Sequence, residues 1–388
     1  MILYDIFRYG HGILLIALHT AVLIGICLEW RRDRRLVNRQ LKDEAKVSVI
    51  IPIRNESRRM EGLLRTLPEQ TYPAEIIFVD DRSTDESPAM LKAFAQDAER
   101  RGIDCRIITL TENPGPNHKQ YALARGIAEA KGDYFLFTDG DCEVPPGWIH
   151  SMTRRIQDEN TGAVIGPVFR NKQGKGVFHL FQCYDHTLRY DYLVGATGLG
   201  AAGGGFGNNL IISKQALEAV GGYEKVPPSP TEDAALISQI RRGTQYRIHA
   251  VAMPDAAVET YCEKTWRSLI NQTLRWNNGG IFSPEILTRF NYNLLMLIIG
   301  TGILAIPLLP FFPSLWTLPA GVMISMSMNH IAAFCLFRTK MPNGKLPVKL
   351  GYFFAMLFMP VYSTLMTAMG YAGIKPVWGQ NNAPIGRG

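Results

Sequence analysis

Charged residues are missing from Asn291 to Phe337, a stretch of 47 residues in a chain of 388. The remaining sequence carries all 41 basic and all 34 acidic side chains, so the average charged content of 19% conceals two different compositions. Such an uneven distribution argues against a purely soluble protein. Short repeats are also missing and 47% of the residues are hydrophobic, which argues against collagen-like and disordered classes.

Cysteine is sparse, and no C-x-x-C pair occurs. The six cysteines are spread over the whole chain: Cys27, Cys105, Cys142, Cys183, Cys262 and Cys335. A disulfide-rich scaffold is therefore not expected, and we interpret all six as reduced thiols. Reduced thiols predict a reducing compartment for the polar part of the chain, most simply the cytoplasm.

An apolar run near the N-terminus, Gly12 to Leu28, predicts one membrane helix with Trp30 as an interfacial anchor. Only Arg8 precedes this run. Five arginines follow it: Arg31, Arg32, Arg34, Arg35 and Arg39. Because positive charge stays inside, we expect the N-terminus to face out and the following chain to be cytoplasmic. A cleaved signal peptide is the alternative, but no small-residue cleavage site follows and the charge asymmetry is reversed.

Two further apolar runs, Asn293 to Phe312 and Leu315 to Phe337, predict a membrane hairpin. Pro310 and Pro313 mark the turn between them, which is too short to hold a domain. We therefore expect two adjacent spans that return the chain to the side from which it entered.

Four basic residues after the hairpin predict a return to the cytoplasmic face: Arg338, Lys340, Lys345 and Lys349. Leu350 to Ile374, with Pro360 inside it, is then either a fourth span or a kinked re-entrant segment, so the side on which the tail from Lys375 lies stays open. Topology thus explains the net charge of +7, and no nucleic-acid partner is expected.

The pattern divides the chain into four parts: residues 1–30 as the membrane anchor, 31–288 as a cytoplasmic domain with interfacial helices, 289–374 as a membrane region of two to three spans, and 375–388 as a tail.

Within the cytoplasmic domain, strand-length apolar runs alternate with amphipathic stretches such as Ser57 to Leu67 and Ser87 to Arg100. The predicted strands are Val47 to Ile53, Glu75 to Asp80, Cys105 to Leu110 and Tyr134 to Thr138. This alternation predicts an α/β domain with a parallel sheet and a ligand at the carboxyl ends of its strands.

Polar residues follow the first two predicted strands. Glu56 comes after the first strand, just before a predicted helix that opens at Ser57, where a helix N-terminus suits a nucleotide. Asp80 and Asp81 end the second strand, where a carboxylate accepts hydrogen bonds from a base or a ribose. Ordinary helix capping explains these residues equally well, since Asp and Ser are good caps.

Asp139, Gly140 and Asp141 follow the fourth predicted strand. Two carboxylates one residue apart suit a hard divalent cation, Mg²⁺ or Mn²⁺, which takes few protein oxygens and completes its shell with phosphate and water. A turn rich in Asp and Gly is the alternative interpretation.

Two motifs lie further along the chain. Asp233 opens a predicted helix that runs to Arg241, where it is either a cap or a general base. A second predicted helix starts near Glu263 and carries the series Gln272, Arg275 and Trp276, in which Arg275 suits a phosphate and Trp276 suits a sugar face or the membrane surface. An interfacial helix that leads into the membrane is a compatible interpretation.

Taken in order, these motifs resemble the membrane-bound inverting glycosyltransferases of family 2, the group of cellulose, chitin and hyaluronan synthases and ceramide glucosyltransferase. The resemblance rests on the first strand and its turn, Asp80-Asp81, Lys119 in a Gly-rich stretch, Asp139-Gly140-Asp141, Gly207-Asn208-Asn209, Thr231-Glu232-Asp233 and Gln272-x-x-Arg275-Trp276. It covers roughly Val47 to Trp276. Each motif alone is weak, but their order and intervals together are specific.

The resemblance implies a GT-A fold, a nucleotide-sugar donor and a divalent cation. For the donor, it implies that Asp81 holds the uracil with Glu56 and Asp80 nearby, that Lys119 faces the diphosphate and that Asp139 contacts the donor. Asp141 is the implied metal ligand.

For the reaction, the resemblance implies that Asp233 deprotonates the acceptor hydroxyl, which then attacks the anomeric carbon from the side opposite the nucleoside diphosphate. Gln272 and Arg275 stabilise the charge on the leaving group, and Trp276 flanks the acceptor.

The acceptor is predicted from the number of spans. A processive polysaccharide synthase usually needs more spans to build an export channel, so we expect transfer from a UDP-sugar, of the glucose or N-acetylglucosamine type, to a lipid hydroxyl at the cytoplasmic face. A processive synthase of the same family is the alternative, because the Gln-x-x-Arg-Trp motif is frequent there. A non-catalytic membrane protein that senses nucleotide-sugar is the alternative from another class, and a sugar nucleotidyltransferase is a weaker one.

Overall fold

The computed structural model describes residues 2–39, 41, 45–115, 117–172, 176–229, 231–283, 286–337, 346–374, 377–378 and 383–384. The topological charges predicted at Arg338, Lys340 and Lys345, and the tail from Lys375 except residues 377–378 and 383–384, lie outside the described residues. The chain forms two compact units. Unit 1 comprises Met1–Cys27, Gln173–Ala201 and Cys262–Gly388, and unit 2 comprises Leu28–Lys172 and Ala202–Tyr261.

A seven-stranded sheet forms the centre of unit 2 and has the order β3-β2-β1-β4-β7-β5-β8. The strands, numbered along the chain, are β1 (Val47–Ile53), β2 (Glu75–Asp81), β3 (Cys105–Leu110), β4 (Tyr134–Phe137), β5 (Thr161–Ile165), β6 (Val168–Lys172), β7 (Leu210–Ser213), β8 (Arg247–Ala250) and β9 (Val258–Tyr261). Strands β1 to β4 are parallel, and β7 runs antiparallel between β4 and β5. Strands β6 and β9 form a separate parallel pair.

The first four strands confirm the predicted ones to within one residue at each end. Strand β1 is buried along nearly its whole length, and β2 along all of it. Such runs are readable from sequence because a parallel sheet is covered on both faces, so its strands are continuously apolar.

Helices cover this sheet. Those of unit 2 are α2 (Glu61–Thr66), α3 (Ser87–Arg100), α4 (His118–Glu129), α5 (Trp148–Ile156), α7 (Lys214–Ala219) and α8 (Glu232–Gly243). Helix α4 lies on β1 and β2. A Cβ atom at Gly126 would lie 2.5 Å from Ile50 Cγ2, so only glycine allows this close approach between helix and sheet.

The predicted helix from Ser57 to Leu67 is wrong at its start. Residues 57–60 form turns, and α2 begins only at Glu61. The physical reason is that Asn55 adopts a positive φ of 55°, and the amides of Glu56 and Ser57 bond to Ser87 Oγ and Asp85 Oδ2. These contacts hold residues 55–57 outside a helix, and the turn that follows, in which Arg59 N and Met60 N both bond to Glu56 O, leads into α2. Helix α3 confirms the predicted bounds Ser87 to Arg100.

The helices of unit 1 are longer: α1 (Ile2–Leu36), whose residues from Leu28 onward belong to unit 2, α6 (Gly176–Gly198), α9 (Trp266–Ile281), α10 (Ile286–Ala305), α11 (Thr317–Phe337) and α12 (Leu346–Tyr371). Three segments of the described chain are long and apolar enough to cross a membrane: Ile2–Leu36, Thr288–Leu308 and Pro313–Phe337. They contain or overlap the three runs predicted as spans. Helix α12 continues through Pro360, and its predicted role as a fourth span or re-entrant segment stays a prediction.

Glycines bring helices of unit 1 into close contact. A Cβ atom on Gly25 of α1 would lie 1.9 Å from the carbonyl oxygen of Gly195 in α6, and one on Gly198 would lie 2.0 Å from the carbonyl oxygen of Gly25. Small residues at helix crossings allow such backbone approach in membranes. The stretch from Val177 to Leu193, rich in Phe, Tyr and His, fits an interfacial or a core helix equally by sequence. It lies in helix α6, which packs on α1 through these glycines and also contacts α11 and α12.

Candidate active site

Two loops at the carboxyl ends of β1 and β2 are interlocked. Asn55 Oδ1 accepts a hydrogen bond from Thr84 N at 2.8 Å, and Asn55 N donates to Ser83 Oγ at 3.0 Å. Ser57 N donates to Asp85 Oδ2 at 3.0 Å. Burial would raise the pKa of Asp85, but the hydrogen bonds from Ser57 and Ser87 outweigh it and lower the pKa to about 2. The two loops therefore form one rigid rim.

Asp80 and Asp81 are buried at this rim, with 2% and 3% of their surfaces exposed. Asp80 Oδ1 accepts a hydrogen bond from Ser83 N at 3.1 Å. Asp81 pairs with Arg82 Nε at 2.8 Å and with Arg54 Nη1 at 3.3 Å. A carboxylate that already holds two guanidinium groups is fixed in direction, which suits it to present an acceptor oxygen to a ligand edge.

Lys119 bridges two acidic residues from different elements. Its Nζ lies 2.7 Å from Asp139 Oδ1 and 3.6 Å from Glu232 Oε1. Burial would lower the pKa of Lys119, but the two carboxylates outweigh it and hold the pKa above its ordinary value. Asn117, which caps α4, donates to Ser229 O at 2.6 Å and lies 3.5 Å from Glu232. The ammonium group is therefore charged and fixed at the start of α4.

A second cation, Arg59, bridges Glu56 and Asp141. It contacts Glu56 through Nε at 2.9 Å and Nη2 at 2.8 Å, and its Nη1 lies 3.3 Å from Asp141 Oδ2. Burial raises the pKa of Glu56 to about 7 against the lowering effect of Arg59, and both Asp139 and Asp141 add to the rise. Gly140 leaves room for this arrangement, since a Cβ atom there would lie 3.2 Å from Glu56 Cγ.

This cluster fits a divalent cation. Burial and the neighbouring Asp139 raise the pKa of Asp141, so the cluster holds more negative charge than it accommodates easily. A cation coordinated there would relieve that repulsion, and carboxylate oxygens are the ligands that Mg²⁺ and Mn²⁺ prefer. The donor set thus suits the metal expected from the sequence.

Asp233 lies in the first turn of α8 and is held in place by backbone amides. Its Oδ2 accepts a hydrogen bond from Gly207 N at 2.7 Å, and its Oδ1 accepts one from Ala234 N at 2.8 Å. Cβ atoms on Gly205 or Gly207 would lie 3.0 to 3.2 Å from Asp233 Cβ, so glycine is needed for this approach. The carboxylate oxygens are oriented and partly exposed, as a proton acceptor requires.

Gln272, Arg275 and Trp276 lie on α9 in unit 1. Within that unit, the Trp276 ring lies 5.7 Å from the His186 ring, and the Arg189 guanidinium lies 5.5 Å from the centre of the Trp276 ring. The α9 helix begins later than predicted, at Trp266, because Thr265 and Ser268 form a capping box there. Trp276 therefore contacts a polar and aromatic part of α6, and Gln272 and Arg275 lie on the same helix as Trp276.

Sequence reasoning missed three residues of unit 2. Arg59 bridges two of the predicted carboxylates, Asn117 ties α4 to the loop before α8, and Arg170 is only 4% exposed and lowers the pKa of Asp141 by its charge. Arg170 lies in β6, whose sequence Val-Phe-Arg-Asn-Lys is mixed in character, so its burial could not be read from the sequence. Nothing local marks Arg59 or Asn117.

The mostly parallel sheet, with the Asp139-Gly140-Asp141 turn after β4, agrees with the GT-A fold that the resemblance implies. Residues 48–221 match the family described as Glycosyl transferase family 2. This match covers the segment that holds most of the predicted motifs and agrees with the family that they predict, and the mostly parallel sheet confirms the predicted α/β fold.

Two curated relatives illustrate the similarity. The chain is 31% identical to the glycosyltransferase GlyG of Streptococcus pneumoniae over 35% of this chain and 43% of the relative. It is 25% identical to a beta-monoglucosyldiacylglycerol synthase of Nostoc sp. over 68% of this chain and 57% of the relative. The alignments thus span about half the length of these curated relatives.

Among solved structures, the fold is similar to that of a mannosyltransferase from Pyrobaculum calidifontis in complex with GDP-Man and Mn²⁺. The likeness covers 96% of this chain and 100% of that chain at a TM-score of 0.51 and 21% identity. At this identity the comparison concerns the fold alone.

Proposed function

We propose that this protein is a membrane-bound inverting glycosyltransferase that moves one sugar from a UDP-sugar, of the glucose or N-acetylglucosamine type, to a lipid hydroxyl at the cytoplasmic membrane face. The observation that carries the proposal is the charged cluster of unit 2, in which Lys119 and Arg59 hold Asp139 and Asp141 at the carboxyl end of β4. Similarity to a relative named beta-monoglucosyldiacylglycerol synthase supports a glycolipid product.

In this proposal the rim residues bind the donor. Asp81 accepts hydrogen bonds from the uracil with Glu56 and Asp80 nearby, Lys119 faces the diphosphate, and Asp139 contacts the donor. Asp141 would hold a Mg²⁺ or Mn²⁺ ion, whose positive charge stabilises the departing diphosphate when it is bound. The bond between the anomeric carbon and the diphosphate oxygen breaks as the acceptor oxygen attacks from the opposite side.

Asp233 takes the proton from the acceptor hydroxyl during this attack. Each of its two oxygens accepts one hydrogen bond, Oδ2 from Gly207 N and Oδ1 from Ala234 N, and together these bonds orient the carboxylate. In the same proposal Gln272 and Arg275 stabilise the leaving nucleoside diphosphate, and Trp276 flanks the acceptor.

The test uses detergent-purified full-length protein, a panel of UDP-sugars and a total lipid extract, with the product identified by mass. We expect one labelled glycolipid that carries one sugar. Replacing Asp233 by Asn should lower turnover by about 10²- to 10⁴-fold while UDP binding persists, because general base catalysis contributes that much. The control is Asp97→Asn, which changes a carboxylate on α3 paired only with neighbouring arginines of that helix.

Three results would contradict the proposal. Polymer longer than a disaccharide would identify a processive synthase, and release of pyrophosphate instead of UDP would identify a nucleotidyltransferase. Unchanged cellular function of Asp233→Asn would favour a sensor without catalysis.

A further inference from the structure

A cluster of soft metal ligands lies in unit 1, apart from the carboxylates described above. His179 and Cys183 are one turn apart on α6, and Cys262 lies four residues before α9. His179 Nδ1 is 3.1 Å from Cys262 Sγ and 3.9 Å from Cys183 Sγ. Their ligand atoms all lie within 4.8 Å of one another. The three side chains therefore converge on a single point.

The fold holds Cys262 in this position. Gln182 forms two hydrogen bonds with the backbone of Glu263, the residue after Cys262. Its Oε1 accepts from Glu263 N at 2.7 Å, and its Nε2 donates to Glu263 O at 3.0 Å. The Phe178 and Phe181 rings flank the same turn of α6 and contact the Trp266 ring in tilted arrangements, with centroid distances of 4.7 and 5.7 Å. The segment that carries Cys262 is thus fixed to α6 by contacts independent of the thiol.

The spacing fits a metal centre. Ligands bound at about 2.0 to 2.3 Å to a tetrahedral zinc ion lie about 3.5 to 3.8 Å apart. Cys262 Sγ lies 3.1 Å from His179 Nδ1, and Cys183 Sγ lies 3.9 Å from the same nitrogen and 3.5 Å from His179 Nε2, all close to that interval. His179 and Cys183 are also only 8% and 4% exposed, which restricts competing water at the site.

We propose that His179 Nδ1, Cys183 Sγ and Cys262 Sγ bind one Zn²⁺ ion. Two thiolates and an imidazole are soft and borderline ligands that favour zinc over the hard Mg²⁺ or Mn²⁺ of the carboxylate cluster. Binding releases both thiol protons to solvent, and a water molecule completes the tetrahedron. The ion joins α6 to the chain that enters α9, the helix of Gln272, Arg275 and Trp276. This inference does not depend on the proposed function.

The first experiment measures metal content in full-length protein purified in detergent after removal of any histidine tag. Plasma mass spectrometry should find about one zinc ion per chain. Cys183→Ser and Cys262→Ser should each lower the zinc retained after dialysis by about tenfold or more, since changes even beyond the direct ligands cost about that much affinity. Cys105→Ser, a half-buried thiol in unit 2, and Asp141→Asn should retain the zinc.

A second experiment separates a metal from a disulfide. Protein freed of zinc and loaded with Co²⁺ should show thiolate-to-cobalt charge-transfer absorption, which Cys262→Ser should lose. Cys262→His keeps a nitrogen ligand but cannot form a disulfide, so it should retain zinc if the protein elutes as a single species.

Several outcomes would overturn the inference. They are zinc at background level in the parent protein, equal zinc in Cys262→Ser and Cys105→Ser, loss of zinc in Asp141→Asn, and a Cys183–Cys262 disulfide found by peptide mapping without reductant. Loss of zinc from a Cys262→His protein that remains monodisperse would also count against it.

Discussion

The two units stabilise their interiors by different means. Unit 2 buries charge in pairs: the Arg155 and Asp33 side chains are 2% and 4% exposed, and the atoms that join them are 2.8 Å apart. Unit 1 relies chiefly on rings and on helix crossings at glycine, although its helix α6 also buries Asp185, which pairs with Arg189 at 2.9 Å. There the Phe181 ring lies 5.0 Å from Tyr362 and 5.5 Å from Phe358.

This difference follows from the solvent around each unit. In an aqueous domain, a charge can be carried into the interior only with its partner, because a lone buried charge costs several kcal/mol. In a membrane, lipid tails compete equally for apolar surface, so helices associate through close packing and a few internal polar contacts. A change that removes charge should therefore affect unit 2 most, and a change in packing should affect unit 1 most.

The largest expected effect is on the stability of unit 2. Arg155→Ala leaves Asp33 and Asp255 without the guanidinium that contacts them at 2.8 and 2.9 Å. We expect the free energy of unfolding to fall by about 3 to 5 kcal/mol, the usual cost of leaving buried charge unpaired. The shift in the midpoint of thermal unfolding of the purified protein reports this loss of stability. Arg100→Ala, which breaks an exposed pair on α3, should cost at most about 1 kcal/mol. Equal losses of stability in Arg155→Ala and Arg100→Ala would refute the conclusion that unit 2 depends on its buried ion pairs.

The next effect concerns activity. Lys119→Ala leaves Asp139 and Glu232 without their shared ammonium group and removes the cation proposed to face the diphosphate. We expect kcat/KM for the UDP-sugar to fall by about 10²- to 10³-fold, as when one group that stabilises a developing charge is lost. Lys92→Ala, an exposed lysine on α3, is the matched control and should not change it. A fall below tenfold would remove Lys119 from the donor site.

The third prediction concerns pH and Glu56. Its pKa rises from 4.5 to about 7 on folding, so the folded state binds more protons than the unfolded state between these values. Stability should therefore decrease as the pH rises from 4.5 through about 7, by up to about 3 kcal/mol. Glu56→Gln should remove this slope, and Glu99→Gln on the exposed face of α3 should keep it. Parallel pH profiles for the parent and Glu56→Gln would contradict the prediction.

The fold of unit 2 is predictable from sequence where the signal is local. Strands β1 to β4 are apolar runs bounded by polar turns, and Asp139 with Asp141 follows one of them directly. The interlocked rim is different, because the bond between Asn55 and Thr84 joins residues 29 positions apart. No local pattern records such a pairing, which acts together with the bonds of the Glu56 and Ser57 amides to hold the chain outside a helix at Ser57.

The helix packing inside unit 1 is harder to predict for a related reason. The spans follow from hydropathy alone, but α6 lies far from them in sequence and its residues Val177 to Leu193 fit an interfacial or a core helix equally. Its assignment depends on glycine contacts with α1, such as Gly25 with Gly195. Packing of this kind is a property of two helices together and is absent from either sequence segment.

The smallest expected effect tests whether unit 1 contains polar contacts that matter. Tyr362 of α12 donates a hydrogen bond to Thr273 Oγ1 of α9 at 2.7 Å, and both residues are buried. Tyr362→Phe keeps the ring in the aromatic cluster and removes this hydrogen bond, so stability should fall by about 1 kcal/mol. Tyr371→Phe is the control, because its hydroxyl contacts Asn293 at an exposed position and its loss should cost less. A loss for Tyr362→Phe as large as that for Arg155→Ala would mean that unit 1 depends on polar contacts as strongly as unit 2 does, and the contrast between the two units would then fail.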